Sequence, residues 1–315
     1  MITQKKTNTK QVIQDMGVEM QRGRWDKSNK SQTMEHIIHG IFLLLGLVTV
    51  GCVLLITVYL VISGLPAIRE IGLVDFLFGK EWESTGAEPK YGILPFILTS
   101  IYGTAGAIVI GVPIGFMTAI YLSKLASAKV KAVMQSAVSL LAGIPSVVYG
   151  LVGMLVLVPG IRKLFHVPDG ASLLASIIVL AIMILPSIIK MSITALDAVP
   201  KEYEDASLAL GATPMETYFK VSVPAAKSGI AAAVVLGVGR AIGEAMAVMM
   251  VAGNVPNMPD SLFQSVRFLT TAVSSEMAYS SGLQQQALFS IALVLFLFIM
   301  LINATLNFFL KREKE

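Results

Sequence analysis

Cysteine and histidine are nearly missing from this sequence: Cys52 is the one thiol, and His36, His39 and His166 are the imidazoles. A lone thiol inside an apolar run gives no disulfide framework, and scattered imidazoles give no spacing for zinc or haem. No metal and no cofactor are therefore expected, and Cys52 reads as a buried or lipid-facing thiol. The chain carries no Gly-x-x-x-x-Gly-Lys-Ser/Thr run, so it has no loop of its own to cradle nucleotide phosphates. It also lacks Gly-x-Ser-x-Gly and His-Glu-x-x-His, which weighs against a membrane-embedded hydrolase with its nucleophile or metal at membrane depth. Charge is scarce as well. Only 14% of the residues are charged, against roughly 25% in an ordinary globular domain.

What is present is apolar: 55% of the 315 residues are hydrophobic, and the mean hydropathy is +0.75. That much apolar surface has lipid as its natural solvent. The fold class expected is an all-α integral membrane protein. The pI near 9.0 does not point to nucleic acid, because the basic residues sit beside and between apolar runs, where membrane topology accounts for them.

Six stretches are long enough to cross a hydrocarbon core, which takes roughly 20 helical residues: 37–62, 93–122, 132–158, 173–196, 225–252 and 287–310. They are rich in Gly, Ala and Ser, which let helices approach closely in lipid. Pro95, Pro113, Pro145 and Pro186 are expected to kink them. The first apolar run starts too late for a cleaved signal peptide, so an uncleaved first span (36–66) follows a polar tail (1–35). Lys124, Lys129 and Lys131, then Lys201, Lys220 and Lys227, then Lys311, Arg312 and Lys314 fall on the same side as the basic N-terminal tail. The positive-inside rule makes that side cytoplasmic, with both termini inside. The opposite loops are acidic (Glu70, Asp75, Glu81, Glu83, Glu88, Asp260, Glu276), and the one over 254–286 suits an ordered loop with a short amphipathic helix.

Between the fourth and fifth spans the chain is polar and reads as helix, turn, helix. Pro200 suits a first helical turn, and Glu202, Glu204 and Asp205 suit the positive end of a helix dipole. Gly211 can take the left-handed conformation that closes a helix, and Thr213-Pro214 opens the next. Asp205, Ala206, Ser207, Gly211, Val221, Val223 and Pro224 match the spacing of the cytoplasmic "EAA" loop of the membrane subunits of binding-protein-dependent ABC importers, which this sequence resembles. The acid is Asp rather than Glu, the second small residue is Ser207, and Glu204 stands one residue too early. In that family the loop is the coupling helix that docks into a cleft of the ATPase.

Span five contains Arg240 and Glu244. At a spacing of four they are expected to share one helix face. Placing Arg near the bilayer centre costs ~2.5–3.5 kcal/mol on insertion scales, so such a residue faces a partner or a water-filled path. Either Arg240 offers its forked donors to an oxyanion while Glu244 holds or gates it, or the two form a structural ion pair. Gly237, Gly239 and Gly243 thin the same region.

Arg-x-x-Gly-Glu at this point resembles permeases for inorganic oxyanions. The run Gly-Arg-Ala-Ile-Gly-Glu-Ala-Met-Ala-Val at 239–248 looks like the PstC-type phosphate permeases in particular. Tyr-Gly-Ile-Leu-Pro-Phe at 91–96, Leu-Ala-Gly-Ile-Pro-Ser-Val-Val-Tyr-Gly at 141–150 and Ser-Glu-Met at 275–277 are similar to the same family. The likeness covers 91–310 and implies a type I importer permease domain there, between an extracytoplasmic loop (67–90) and a short cytoplasmic tail (311–315). It implies a non-catalytic subunit of a bacterial cytoplasmic membrane. Its implied partners are a second PstA-like permease, a PstB-like ATPase dimer and an extracytoplasmic PstS-like phosphate-binding protein, together moving phosphate by alternating access. Sulfate, molybdate or phosphonate as cargo remains open, as does an ion-coupled secondary transporter.

Overall fold

The computed structural model describes residues 34–86 and 88–305. The polar tail at 1–35, except for its last two residues, and the tail at 311–315 lie outside the described residues. The chain divides into two units, one ending at Tyr59 and one beginning at Leu60. Helix α1 runs Met34–Ile71 and has the strongest apolar window of the chain. As far as Tyr59 its large apolar side chains are exposed, Phe42 and Leu55 among them, as lipid-facing side chains would be.

In the second unit, α2 (Leu73–Phe78) and a two-residue antiparallel pair, β1 (Trp82–Glu83) and β2 (Lys90–Tyr91), precede the bundle. The bundle consists of α3 (Leu94–Leu125), α4 (Ala128–Gly143), α5 (Ser146–Phe165) and α6 (Leu173–Asp197). Then come α7 (Lys201–Ala209), α8 (Pro214–Ala225), α9 (Lys227–Gly243), α10 (Met246–Val251), α11 (Leu269–Glu276) and α12 (Gly282–Thr305). Among the described residues, five helices are long and apolar enough to span a membrane. The count is six if α8 and α9, bent by 72° at Ala226, make one span.

Two spans differ from the sequence expectation. The third lies at Ser146–Phe165 rather than 132–158. Pro145 does not kink a continuous helix but ends one: Ile144 before it is extended (φ −69, ψ 128), because the proline ring disfavours the helical region for the residue preceding it. The fifth is not one helix over 225–252. It stops at Gly243, and Glu244 is extended (φ −74, ψ 129) before α10 starts. Pro113 and Pro186 do lie inside helices, whereas Pro95 sits in the first turn of α3, where its missing N–H costs nothing.

The small residues do what lipid packing requires of them. A methyl placed at Gly106, Gly111 or Gly115 of α3 would meet Ile177, Ile184 or Ile188 of α6 at 2.7, 2.7 and 2.9 Å. Gly237 of α9 takes Ile188 from the other side. Thus α6, the most buried span, is held between α3 and α9 by isoleucines seated on glycine backbone. Phe268, the N-cap of the short α11, packs against Gly103, with 2.4 Å left for any added carbon.

Candidate functional site

Arg240 lies in the last turn of α9, where a cation suits the negative end of the helix dipole. It is half-buried, and its Nη1 donates to the Ser187 hydroxyl of α6 at 3.3 Å. Glu244 has left the helix. Its Oε1 accepts from the Ala247 N–H in the first turn of α10 at 3.0 Å, and its carbonyl accepts from Thr270 Oγ1 at 2.8 Å. The premise that the two side chains share a helix face is therefore corrected. The backbone turns at Gly243 and aims the carboxylate at the start of α10, where free N–H groups want an acceptor. Among the described residues, Arg240 has no carboxylate in ion-pair range. The backbone beside it is open: nothing lies within 4 Å of a side-chain carbon added at Gly239 or Gly243. The Tyr149 hydroxyl donates to the Leu141 carbonyl across the Pro145 break at 2.7 Å.

The sequence reading passed over Lys190. It is exposed on α6, one turn beyond Ser187, and Thr194 Oγ1 donates to its carbonyl at 3.0 Å. The signal was a charge inside an apolar run, the same signal that marked Arg240. A cavity of about 870 Å³ between α5 and α6 is lined by Val152, Leu157, Leu164, Ile178 and other apolar side chains, which suits a lipid chain or a helix and not an anion.

The motif loop folds as expected, with one shift: Pro200 occupies the N-cap of α7, not its first turn. Gly211 is left-handed (φ 89), and the N–H groups of Gly211 and Ala212 donate to the Leu208 and Ser207 carbonyls. Thr213 then caps α8 reciprocally with Glu216. Since a side chain in that conformation costs about 1–2 kcal/mol, Gly211→Val is expected to loosen the hairpin even though space is free, read as faster proteolysis within 200–224.

Ser207 turns inward onto Thr217 (2.9 Å between hydroxyls), Val223 packs against the core of Leu122, Val199 and Ala226, and Val221 is half-buried. Asp205, Ala206 and Pro224 face outward, beside exposed Tyr203, Leu208, Leu210 and Met215. Glu204, which the spacing set aside, is the anchored acid. It pairs with Lys124 at the end of α3 and accepts from Ser222 Oγ at 2.9 Å. Nearby, Asp197 accepts from Ser123 at 2.6 Å and from Lys131 at 2.9 Å.

The other end of the bundle holds a network built on Glu276. One carboxylate oxygen pairs with Arg267, and the other accepts from Trp82 Nε1 at 3.3 Å and Gln284 at 3.1 Å. Arg267 also lies 5.9 Å from the Phe96 ring centroid. This ties the β-pair, α11 and α12 together. On the β-pair, the hydrogen bond from Lys90 holds the exposed Glu81 carboxyl below the usual carboxylate range. Among the described residues no three His, Cys, Asp or Glu side chains cluster as metal ligands.

Up to six apolar helices, a polar helical hairpin held at one end and a half-buried cation among spans define a multi-pass membrane permease. The chain belongs to the family described as the binding-protein-dependent transport system inner membrane component, whose model matches residues 111–314, and it is the permease subunit of an ABC importer. It is 41% identical over 266 residues to the probable ABC transporter permease protein YqgH of Bacillus subtilis, covering 82% of this chain and 86% of that one. It is 34% identical over 293 residues to the phosphate transport system permease protein PstC of Haemophilus influenzae, covering 86% and 89%. Among solved structures, the MetNI methionine ABC transporter superposes with TM-score 0.52 at 21% identity, over 70% of this chain and 94% of that chain. That likeness concerns the fold.

Proposed function

We propose that this chain forms half of the membrane path by which an ATP-driven importer takes up inorganic phosphate. The observation that carries this reading is Arg240: a guanidinium among spans, resting on Ser187 and open on its glycine side, with no carboxylate in ion-pair range among the described residues. A cation among spans with no carboxylate partner among the described residues favours an anion as its counter-charge. Relatives described as phosphate transport permeases, at 34% identity over most of the chain, support phosphate as that anion.

In this reading the α7–α8 hairpin lies in the cytoplasm, with both termini on the same side. Its exposed face, Asp205 and Ala206 with Leu210, meets a PstB-like ATPase, while Ser207, Gly211, Val221, Val223 and Pro224 set its shape. A PstA-like permease completes the path, a PstS-like binding protein delivers cargo at the Trp82 end, and ATP closure of the ATPase pair drives alternating access. Residues 91–310 form the permease domain proper. A purified complex in liposomes tests this: labelled phosphate enters only with ATP, and excess sulfate or molybdate leaves uptake unchanged. Competition by sulfate or molybdate would transfer the same mechanism to another oxyanion, and uptake without ATP would overturn it.

A further inference from the structure

Lys190 is a second charge among the spans. It precedes the end of α6 at Asp197 by seven residues, about 10 Å of helix. Like Arg240, it has no carboxylate in ion-pair range among the described residues. Ser187, Lys190 and Thr194 recur at helical spacing and so share one stripe of α6. Ser187 is where Arg240 rests, which puts both cations along one polar strip. The adjoining flank of α6 is sealed: Ile184 and Ile188 are 1% exposed against α3 and α9.

A lysine facing lipid this far from the helix end has to carry its ammonium to the headgroups along an apolar surface. Here its neighbours on the stripe are two hydroxyls and, through the first of them, a guanidinium. Two cations along one strip, with no carboxylate in ion-pair range among the described residues, repel each other, and an anion passing between them relieves both.

We propose that Lys190 is the second cationic station of the anion path, receiving the cargo from Arg240 on its way toward the α7–α8 end. The proposal rests on the reading of Arg240 as part of that path and extends it in two respects. It adds a binding residue from a different span, and it orders the two stations: Arg240 is the deeper, and Lys190 the one nearer the hairpin. Conduction past several weak sites needs such a stepwise arrangement, since a single deep cation would hold its anion too firmly to release it.

The test uses the complete complex in liposomes. In a Cys52→Ser background, Lys190→Cys is expected to react with a water-soluble, membrane-impermeant thiol reagent when both liposome faces are exposed to it, and inorganic phosphate is expected to slow the reaction. Lys190→Gln is expected to lower phosphate uptake roughly tenfold, and Lys190→Arg to restore most of it. Co-purification of the ATPase serves as the assembly control, and Lys190→Met, which keeps the apolar stem, replaces the Gln variant if that one fails to assemble. A cysteine that the reagent cannot reach, or that it reaches at a rate phosphate does not slow, overturns the proposal, as does wild-type uptake by Lys190→Gln. If Arg240→Gln is then inactive, the Arg240 path stands without Lys190; if both variants transport normally, the path reading falls with it.

Discussion

Replacing Arg240 with Gln is expected to lower ATP-dependent phosphate uptake roughly 10- to 100-fold while leaving the complex assembled. The magnitude is that of losing a hydrogen bond to a charged partner, about 1.5–3 kcal/mol, which is one to two decades in an equilibrium constant. Assembly should survive because, among the described residues, the guanidinium has one side-chain hydrogen bond, to Ser187, and Gln can keep a donor there. Had Arg240 and Glu244 been an ion pair, each single substitution would strand a buried charge and the double substitution would relieve it. The geometry predicts another pattern. Glu244 serves the Ala247 N–H, an acceptor role that Gln can fill, so Glu244→Gln should cost far less uptake than Arg240→Gln. The double variant should then match Arg240→Gln alone. A double-mutant cycle on uptake and on thermal stability reads this directly; a strong coupling between the two positions would return the pair to a structural role.

Hydropathy made the membrane class and most of the span positions legible in the sequence, because spans such as Leu173–Asp197 are set by one-dimensional length and apolarity. The helix ends were legible where a local residue dictates them, as at Gly211 and Thr213. What failed was continuity. An apolar run through Pro145 or through Gly243-Glu244 looks like one helix to a hydropathy count, yet the backbone breaks at each. The break at Glu244 separated two side chains that a spacing of four had put on one face. Equally hidden were long-range partners: no local pattern links Arg240 to Ser187, Glu204 to Lys124, or Glu276 to Arg267 and Trp82. Lys190 differs, since it is a charge in an apolar run and was readable from the sequence, though the reading passed over it.

The neighbouring acids of the hairpin should behave oppositely when removed. Glu204 and Lys124 are 17% and 11% exposed in their side chains, and Ser222 adds a hydrogen bond to the carboxylate. Glu204→Ala leaves the Lys124 ammonium largely buried without a partner, a change that costs about 3–5 kcal/mol. The cost falls on the joint between α7, the end of α3 and the start of the bent span, so the hairpin should open locally. Hydrogen exchange over 201–209 is expected to speed up at least about 100-fold, in the isolated chain and without any partner. Lys124→Met made together with Glu204→Leu should recover most of that protection, because removing both charges removes the stranded one. Asp205→Ala should leave exchange unchanged, since the side chain faces solvent, and should weaken co-purification of the ATPase instead. The joint matters mechanically. A helix pushed by an ATPase moves a span only if the link between them is stiffer than the load, and the stiff link here is Glu204 to Lys124. If Glu204→Ala kept native exchange while Asp205→Ala lost it, the anchor and the docking residue would have to be exchanged.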